Sequence, residues 1–128
     1  KIDSATNSTM PAKITIKSGS MTAKTLLTVA GNISISGGTL DMSQYSGNTA
    51  SKGIGTINLS GNFNMTGGSV TETATNIGRG DINFTKSGTQ TFSISGGSTI
   101  INTINFTVNS SSILDAGNNI FTGDGTFT

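Results

Sequence analysis

One stretch of this chain occurs twice, and the repetition constrains the fold more than any other feature. The first copy is LTVAGNISISGGTL, at Leu27–Leu40, and the second is INLSGNFNMTGGSV, at Ile57–Val70. Each large apolar residue of the first copy faces an apolar residue in the second, and each glycine faces a glycine. A third, partial copy is FSISGGST, at 92–99. Repetition at a period of about 20 to 50 residues is typical of solenoids and other repeat arrays.

The copies come closer together along the chain. Identical INFT segments at 82–85 and 104–107 open the third and fourth copies, and the intervals between successive openings shorten from first to last. We expect an underlying repeat of about 20 residues, with polar excursions that shorten along the chain. Alignment on these openings predicts four columns of like apolar residues: Leu27/Ile57/Ile82/Ile104, Val29/Leu59/Phe84/Phe106, Ile33/Phe63/Phe92 and Ile35/Met65/Ile94.

The apolar residues alternate with small polar ones, a period that indicates β-strands. The alternation begins in KITIK, at 13–17, and no segment of ten residues carries a helical apolar stripe. Each copy predicts three short strands (LTV, ISI and TLDM in the first), separated at Gly31-Asn32 and Gly37-Gly38, where turns are favourable.

Stacked turns of a parallel β-helix require matching residues at about 4.8 Å spacing, which explains the columns. We therefore predict an all-β, right-handed parallel β-helix (solenoid) of about four to five turns over residues 13–128. Residues 1–12 form a polar lead-in or a partial cap. Recurrent Asn58, Asn83 and Asn105 predict a ladder of stacked amides. The alternative is an antiparallel β-sandwich, in which the Gly-Gly pairs form hairpin turns.

Composition removes several classes of function. The net charge of +1, with 10% charged residues, gives no electrostatic basis for binding nucleic acid. No apolar run is long enough to span a bilayer, so we expect no membrane insertion. The chain has no cysteine, which is compatible with an exported repeat protein because each turn covers the next.

The sequence also predicts that the chain is not an enzyme and binds no cofactor. It contains neither histidine nor cysteine, which removes the usual nucleophilic and zinc sites. Asp41 and Glu72 both follow a double-glycine strand and could share one corner, but a solvated corner is the simpler interpretation. Asp115 and Asp124, with Asn118 and Asn119, resemble fragments of calcium loops, for which turn chemistry is the simpler interpretation.

Two polar excursions, Ser43–Gly55 and Thr71–Asp81, are predicted to be surface loops at one corner of the repeats. Loops on a rigid scaffold often carry binding, so these are the predicted contact loops. The candidate contact residues are Tyr45, Lys52, Glu72, Arg79 and Asp81. Arg79-Gly80-Asp81 is similar to the integrin-binding tripeptide, for which a glycine-flanked turn is the alternative.

The repeats GNISISGGTL and GNFNMTGGSV, the paired INFT openings and SSILDAGNNIFTGDGTFT resemble the long β-helical surface adhesins of Bacteroidetes that the type 9 secretion system exports. The resemblance implies a structural or adhesive segment of an extracellular or cell-surface filament. Asp3-Ser4-Ala5 is similar to the O-glycosylation motif of such exported proteins, with Ser4 as acceptor.

Several partners and functions stay open. The partners expected are further turns of a longer chain, end-to-end self-association through open strand edges, or a host, surface or glycan ligand. The alternative functions are a polysaccharide-binding or polysaccharide-cleaving β-helix and a phage or virus fibre segment.

Overall fold

The computed structural model describes residues 13–15, 24–42, 54–73, 78–119, 121 and 124–128. Over these residues the chain is all-β, and the strands are β1 Lys13–Thr15, β2 Lys24–Val29, β3 Ile33–Asp41, β4 Ile54–Leu59, β5 Phe63–Thr71, β6 Arg79–Phe84, β7 Gly88–Ile94, β8 Thr99–Ile100, β9 Ile104–Val108 and β10 Ser112–Asp115.

The strands form two parallel sheets, which the chain visits in alternation. Sheet A has the order β1-β3-β5-β7-β10, with β8 also paired to β5, and sheet B has the order β2-β4-β6-β9. One repeat adds one strand to sheet B and then one strand to sheet A, or two in repeat 3. Repeat 1 is β2–β3, repeat 2 is β4–β5, repeat 3 is β6–β8 and repeat 4 is β9–β10. Every pairing between described strands is parallel. The solenoid prediction requires parallel pairing, whereas the alternative, an antiparallel sandwich, requires antiparallel pairing.

Most of the predicted columns are confirmed by the strand registers. In sheet A, Ile33 pairs with Phe63 and Phe63 with Phe92, while Ile35, Met65 and Ile94 form the next apolar column. In sheet B, repeats 1 to 3 align as predicted. These residues face each other between the sheets and form one buried core, whose most enclosed members are Ile33, Met42, Ile57, Leu59, Phe63, Met65, Val70, Ile82 and Phe84.

The predicted register of repeat 4 is wrong by two positions. Ile82 pairs with Phe106 and Phe84 with Val108, whereas alignment of the two INFT segments places Ile82 opposite Ile104. Ile104 instead pairs with Gly80. A Cβ at Gly80 would lie 2.6 Å from Met42 Cβ and 2.7 Å from Ile104 Cδ1, so Met42 and Ile104 fill the space beside this glycine.

The double glycine does not divide the strand in the first two repeats. β3 and β5 each run through their Gly-Gly pair, and the register shifts there as in a β-bulge. Repeat 3 does contain the predicted break: Gly96 and Gly97 have φ values of 65° and 74° and separate β7 from β8.

The predicted excursions are shorter than the sequence suggested. β4 begins at Ile54, which is buried, and β5 continues through Thr71. Arg79–Asp81 belong to β6. The strands therefore include the last residues of both predicted loops, because Ile54, Gly55 and Gly80 pack against the core rather than solvent.

Aromatic side chains fill the core from repeat 2 onward. Phe63 and Phe92 stack at a centroid distance of 5.2 Å, and Phe92 stacks on Phe121 at 4.7 Å. On the sheet B side, Phe84 stacks on Phe106 at 6.4 Å, and Phe106 meets the edge of Phe121 at 5.3 Å. Such pairs contribute about 0.5–1.5 kcal/mol each beyond the burial of their area. Phe121 therefore joins the two rows of rings at the fourth repeat.

Candidate contact surface

The predicted contact residues fall into three groups in the structure. Tyr45 and Lys52 lie outside the described residues, as does the predicted glycosylation site, Ser4. Glu72 immediately follows β5, and Arg79 and Asp81 lie on β6. The structure thus brings Arg79 and Asp81 together and places Glu72 elsewhere, at the corner that follows sheet A.

That corner is buried rather than solvated. Asp41 is 0% exposed and Glu72 is 8% exposed. Asp41 accepts a hydrogen bond from Thr73 Oγ1. Asn102, with φ of 62°, donates from Nδ2 to Thr71 Oγ1 and to the Glu72 carbonyl, both at 2.8 Å. These hydrogen bonds connect the ends of β3, β5 and β8, so the corner holds adjacent repeats together. Glu72 is buried there and presents little surface for contact.

Arg79 and Asp81 lie on the outward face of sheet B. Arg79 Nε donates to Asp81 Oδ1 at 2.9 Å and to Oδ2 at 3.2 Å. The two side chains are 40% and 20% exposed, so the pair is accessible and electrically neutral as a unit. Gly80 between them is buried against Met42. The Arg-Gly-Asp segment is therefore an extended strand with its two charges paired to each other, and not the exposed loop that the sequence suggested.

Polar side chains continue from this ion pair across sheet B. Asn105 Nδ2 donates to Asp81 Oδ1 at 2.9 Å, and Asn105 Oδ1 accepts from the backbone N–H of Thr126 at 2.9 Å. In the adjacent column, Asn83 Nδ2 donates to Asn58 Oδ1 at 2.9 Å. We call this surface the polar face; its members are Thr56, Asn58, Arg79, Asp81, Asn83, Asn105 and Thr107.

The predicted asparagine ladder is therefore confirmed for Asn58 and Asn83 and wrong for Asn105. Because repeat 4 is displaced by two positions, Asn105 is in register with Asp81 rather than Asn83. The amide then meets a carboxylate, which gives a charge-assisted hydrogen bond in place of an amide–amide one.

The chemistry of the polar face suits an uncharged polar ligand. It presents amide, carboxylate, guanidinium and hydroxyl groups in rows that follow the spacing of the strands, about 4.8 Å apart. Each of these groups can donate or accept hydrogen bonds in fixed directions. The part of the chain that the structure describes has no group of three or more His, Cys, Asp or Glu side chains placed to hold a metal ion.

The first of the calcium-like fragments, Asp115 with Asn118 and Asn119, forms a turn. Asp115 Oδ1 accepts from the Gly117 N–H at 3.0 Å, as in an Asx turn. Asn119 Oδ1 accepts from Ile94 N–H at 3.1 Å, and its Nδ2 donates to the carbonyls of Phe92 and Ala116. The bonds to Ile94 and Phe92 take the place of an adjacent strand at the end of β7.

Two other structural roles were missed at the level of sequence. Gln90 is 0% exposed, and its Nε2 donates to the carbonyls of Leu59 and Gly61 in the preceding repeat. Asn32 Oδ1 accepts from Asn62 N–H, and Asn62 Oδ1 accepts from Thr91 N–H, at 2.8 and 2.9 Å. The recurrence of Gly-Asn at 31–32 and 61–62 was a signal for the second role, but no pattern in the sequence marked Gln90.

Comparison of the chain with protein-family models, with curated proteins and with solved structures gives no match. The described part of the chain contains no helix with the length and apolar character needed to cross a membrane.

Proposed function

We propose that this chain is a stiff segment of a right-handed parallel β-helix that serves a structural or adhesive role in an extracellular surface protein or filament. The observation that carries the proposal is the continuation of the same residue columns through consecutive repeats in both sheets. A chain that returns to the same two sheets by parallel pairing coils as a solenoid, and crossovers between parallel strands are right-handed in about 98% of cases.

A solenoid of this kind gives length and stiffness because each repeat binds only its neighbours. Matching residues in successive repeats then form continuous hydrogen-bonded and apolar columns along the axis. Within the described residues, the surface proposed for contact is the polar face. The resemblance to exported adhesins of Bacteroidetes supports an extracellular location.

A repeat-insertion variant tests the rod. Ile54 is in register with Arg79, so a duplicate of residues 54–78 placed between residues 78 and 79 should form one additional repeat. Small-angle X-ray scattering should show an unchanged cross-section and a length increased by about 4.8 Å. Loss of the cooperative unfolding transition, or growth in the cross-section instead of the length, would contradict the rod.

Glycan binding is a second candidate function, which the chemistry of the polar face favours. Sugar hydroxyls suit the amide and carboxylate groups that line it. The test is retention of the purified chain on immobilised neutral polysaccharides. A variant with Arg79→Ser and Asp81→Ser should lose retention. The matched control is Lys86→Ser, which removes an exposed cation in the connection between β6 and β7. Equal retention of both variants, or none by the parent chain, would exclude this function for the polar face.

A further inference from the structure

One part of sheet A stops one strand short of the rest. Sheet A is four strands deep at the column that contains Leu40, which runs Ile14, Leu40, Val70 and Ile100. Its last strand is β8, and among the described strands β8 pairs with β5 alone. The fourth repeat adds β10 beside Gly88–Thr91 of β7 instead, and then returns to sheet B, where Phe127 bridges to Phe106. Within the described part of the chain, no strand therefore covers the outer edge of β8.

The backbone of β8 is directed toward this open side. Val70 is the partner of Ile100, and the Val70 carbonyl accepts from Ile101 N–H at 3.0 Å. Residues of a parallel strand direct their backbone groups to alternate sides. The N–H and C=O of Ile100 therefore face away from β5, where another strand would bind them.

A cavity of about 330 Å³ adjoins the same edge. Its apolar lining consists of Ile94, Ile100, Phe106 and Phe121, and its polar lining consists of Ser98, Asn118 and Asn119. None of these side chains is charged. An open strand edge beside an apolar cavity is the arrangement by which sheets accept an added strand, with backbone hydrogen bonds on the edge and one side chain in the cavity.

The opposite edge of the same strip shows which segment fits. There β1 is a short strand that pairs only with the columns at the end of β3, with Ile14 opposite Leu40. Continued by one step beyond β8, the same columns would receive Lys13, Ile14 and Thr15 opposite Thr99, Ile100 and Ile101. We propose that β1 of a second copy of this chain adds to β8, with Ile14 opposite Ile100, and that the chain associates head to tail in this way.

If the second copy stacked on both sheets, the β2 strand of that copy would reach the edge of β9. Thr126–Thr128 already occupy this edge through hydrogen bonds to Phe106 and Val108. β2 has six residues that could pair with β9, whereas the segment at 126–128 makes one bridge, Phe106 to Phe127, and one ring contact, Phe127 to Phe121. The longer pairing favours exchange, and a head-to-tail contact of this kind extends into an open filament.

A peptide that carries only β1 separates the insertion step from the exchange. A fluorescein-labelled peptide of residues 12–18, AKITIKS, is titrated with the intact chain and followed by fluorescence anisotropy. We expect saturable binding. In the NMR spectrum of the chain, the peptide should shift the signals of Thr99, Ile100, Phe106 and Phe121. A peptide with Ile14→Asp should bind about tenfold more weakly or worse, because it would place a carboxylate opposite Ile100, beside the apolar lining of the cavity.

The matched chain variants are Ile100→Asp and Ile113→Asp. Ile113 is 63% exposed on β10 and lies outside the cavity, so its variant should bind the peptide like the parent chain. Ile100→Asp should lose binding, and Ser98→Phe, which fills the cavity from its rim, should do so without a buried charge. No anisotropy change with the parent chain, or equal binding by the Ile100 and Ile113 variants, would overturn the insertion. The rod proposal is tested separately by the repeat insertion and does not depend on this result.

Discussion

Repeats 1 and 2 and the last part of the chain, residues 104–128, use the same two sheets in different ways. In repeats 1 and 2 the sheet A strands are long, with nine residues each in β3 and β5, and the residues match position by position. In repeat 4, β10 has four residues, the register is displaced by two, and Phe121 turns into the core. In the first region, residues of matching type stack in register. In the second region, aromatic rings fill the core.

The difference shows that stacking constrains a residue only when another repeat lies against it. A Cβ on Gly61 would lie 2.2 Å from the Gly31 carbonyl oxygen, whereas a Cβ on Gly31 meets no described atom within 4 Å. The two glycines are equivalent in sequence and unequal in structure. Among the described strands, fewer cover repeat 4, and side chains such as Ile113 and Phe127 are more exposed there.

The largest expected effect comes from the ring that connects the two regions. Phe92 is 2% exposed and contacts Phe63, Phe84, Phe106 and Phe121. Phe92→Ala should lower the free energy of unfolding by about 3–5 kcal/mol, because it leaves a cavity and removes the ring contacts. Urea denaturation measures the loss. The control is Phe127→Ala, at a site 53% exposed, which should cost far less; equal losses would mean that the aromatic rows are not the core.

The second prediction uses the two equivalent glycines. Gly61→Ala should reduce the free energy of unfolding by about 1–3 kcal/mol, because the methyl group must displace the backbone of the repeat below. Gly31→Ala should change it little. The same denaturation experiment applied to both variants checks the difference, and a loss at Gly31 as large as that at Gly61 would remove the stacking explanation.

The third prediction concerns Gln90, which connects repeat 3 to repeat 2, and its expected effect on the free energy of unfolding is of comparable size. Gln90→Leu keeps the volume but leaves the carbonyl of Gly61 without the amide that binds it, so we expect a loss of about 1–3 kcal/mol. Thr89→Val, at an exposed neighbour, is the matched control and should be nearly neutral. Thermal unfolding followed by circular dichroism distinguishes them, and a neutral Gln90→Leu variant would show that the bridge to the preceding repeat is dispensable.

The smallest effect is expected on the polar face. Asn58→Ala and Asn83→Ala, made singly and together, form a double-mutant cycle for their hydrogen bond. We expect a coupling of about 0.2–1 kcal/mol, as for other cross-strand pairs. The same cycle for Asn83 and Asn105, which are not in register, should give no coupling. Coupling in that second pair would support the register first predicted from the INFT repeats.

The sequence predicted the parallel sheets and the columns of the first three repeats, because period-two alternation and matched glycines determine both face and register. It failed at repeat 4 because a displacement of two positions preserves the alternation. In the displaced register Ile104 lies opposite Gly80, and Met42 and Ile104 fill the space beside this glycine.

The contact residues show a second limit of the sequence. Arg79 and Asp81 were predicted as contact residues but assigned to a loop. In the sequence Gly80 looks like a turn glycine, because the residues that pack against it in space, Met42 and Ile104, are far away along the chain. Gln90 and Asn119 form hydrogen bonds with backbone groups. Because every residue has these groups, the sequence does not show which residues are the partners.

The most direct test of the parallel stacking is disulfide formation between introduced cysteines. The chain has no cysteine of its own, and Ser34, Asn64 and Ser93 occupy one column on the outer face of sheet A. Adjacent strands lie about 4.8 Å apart, within the Cα span of a disulfide, about 4.4–6.8 Å. Ser34→Cys with Asn64→Cys, and Asn64→Cys with Ser93→Cys, should form intramolecular disulfides under mild oxidation, whereas Ser34→Cys with Ser93→Cys should not. A disulfide in the third variant, or none in the first two, would contradict the stacked parallel repeats.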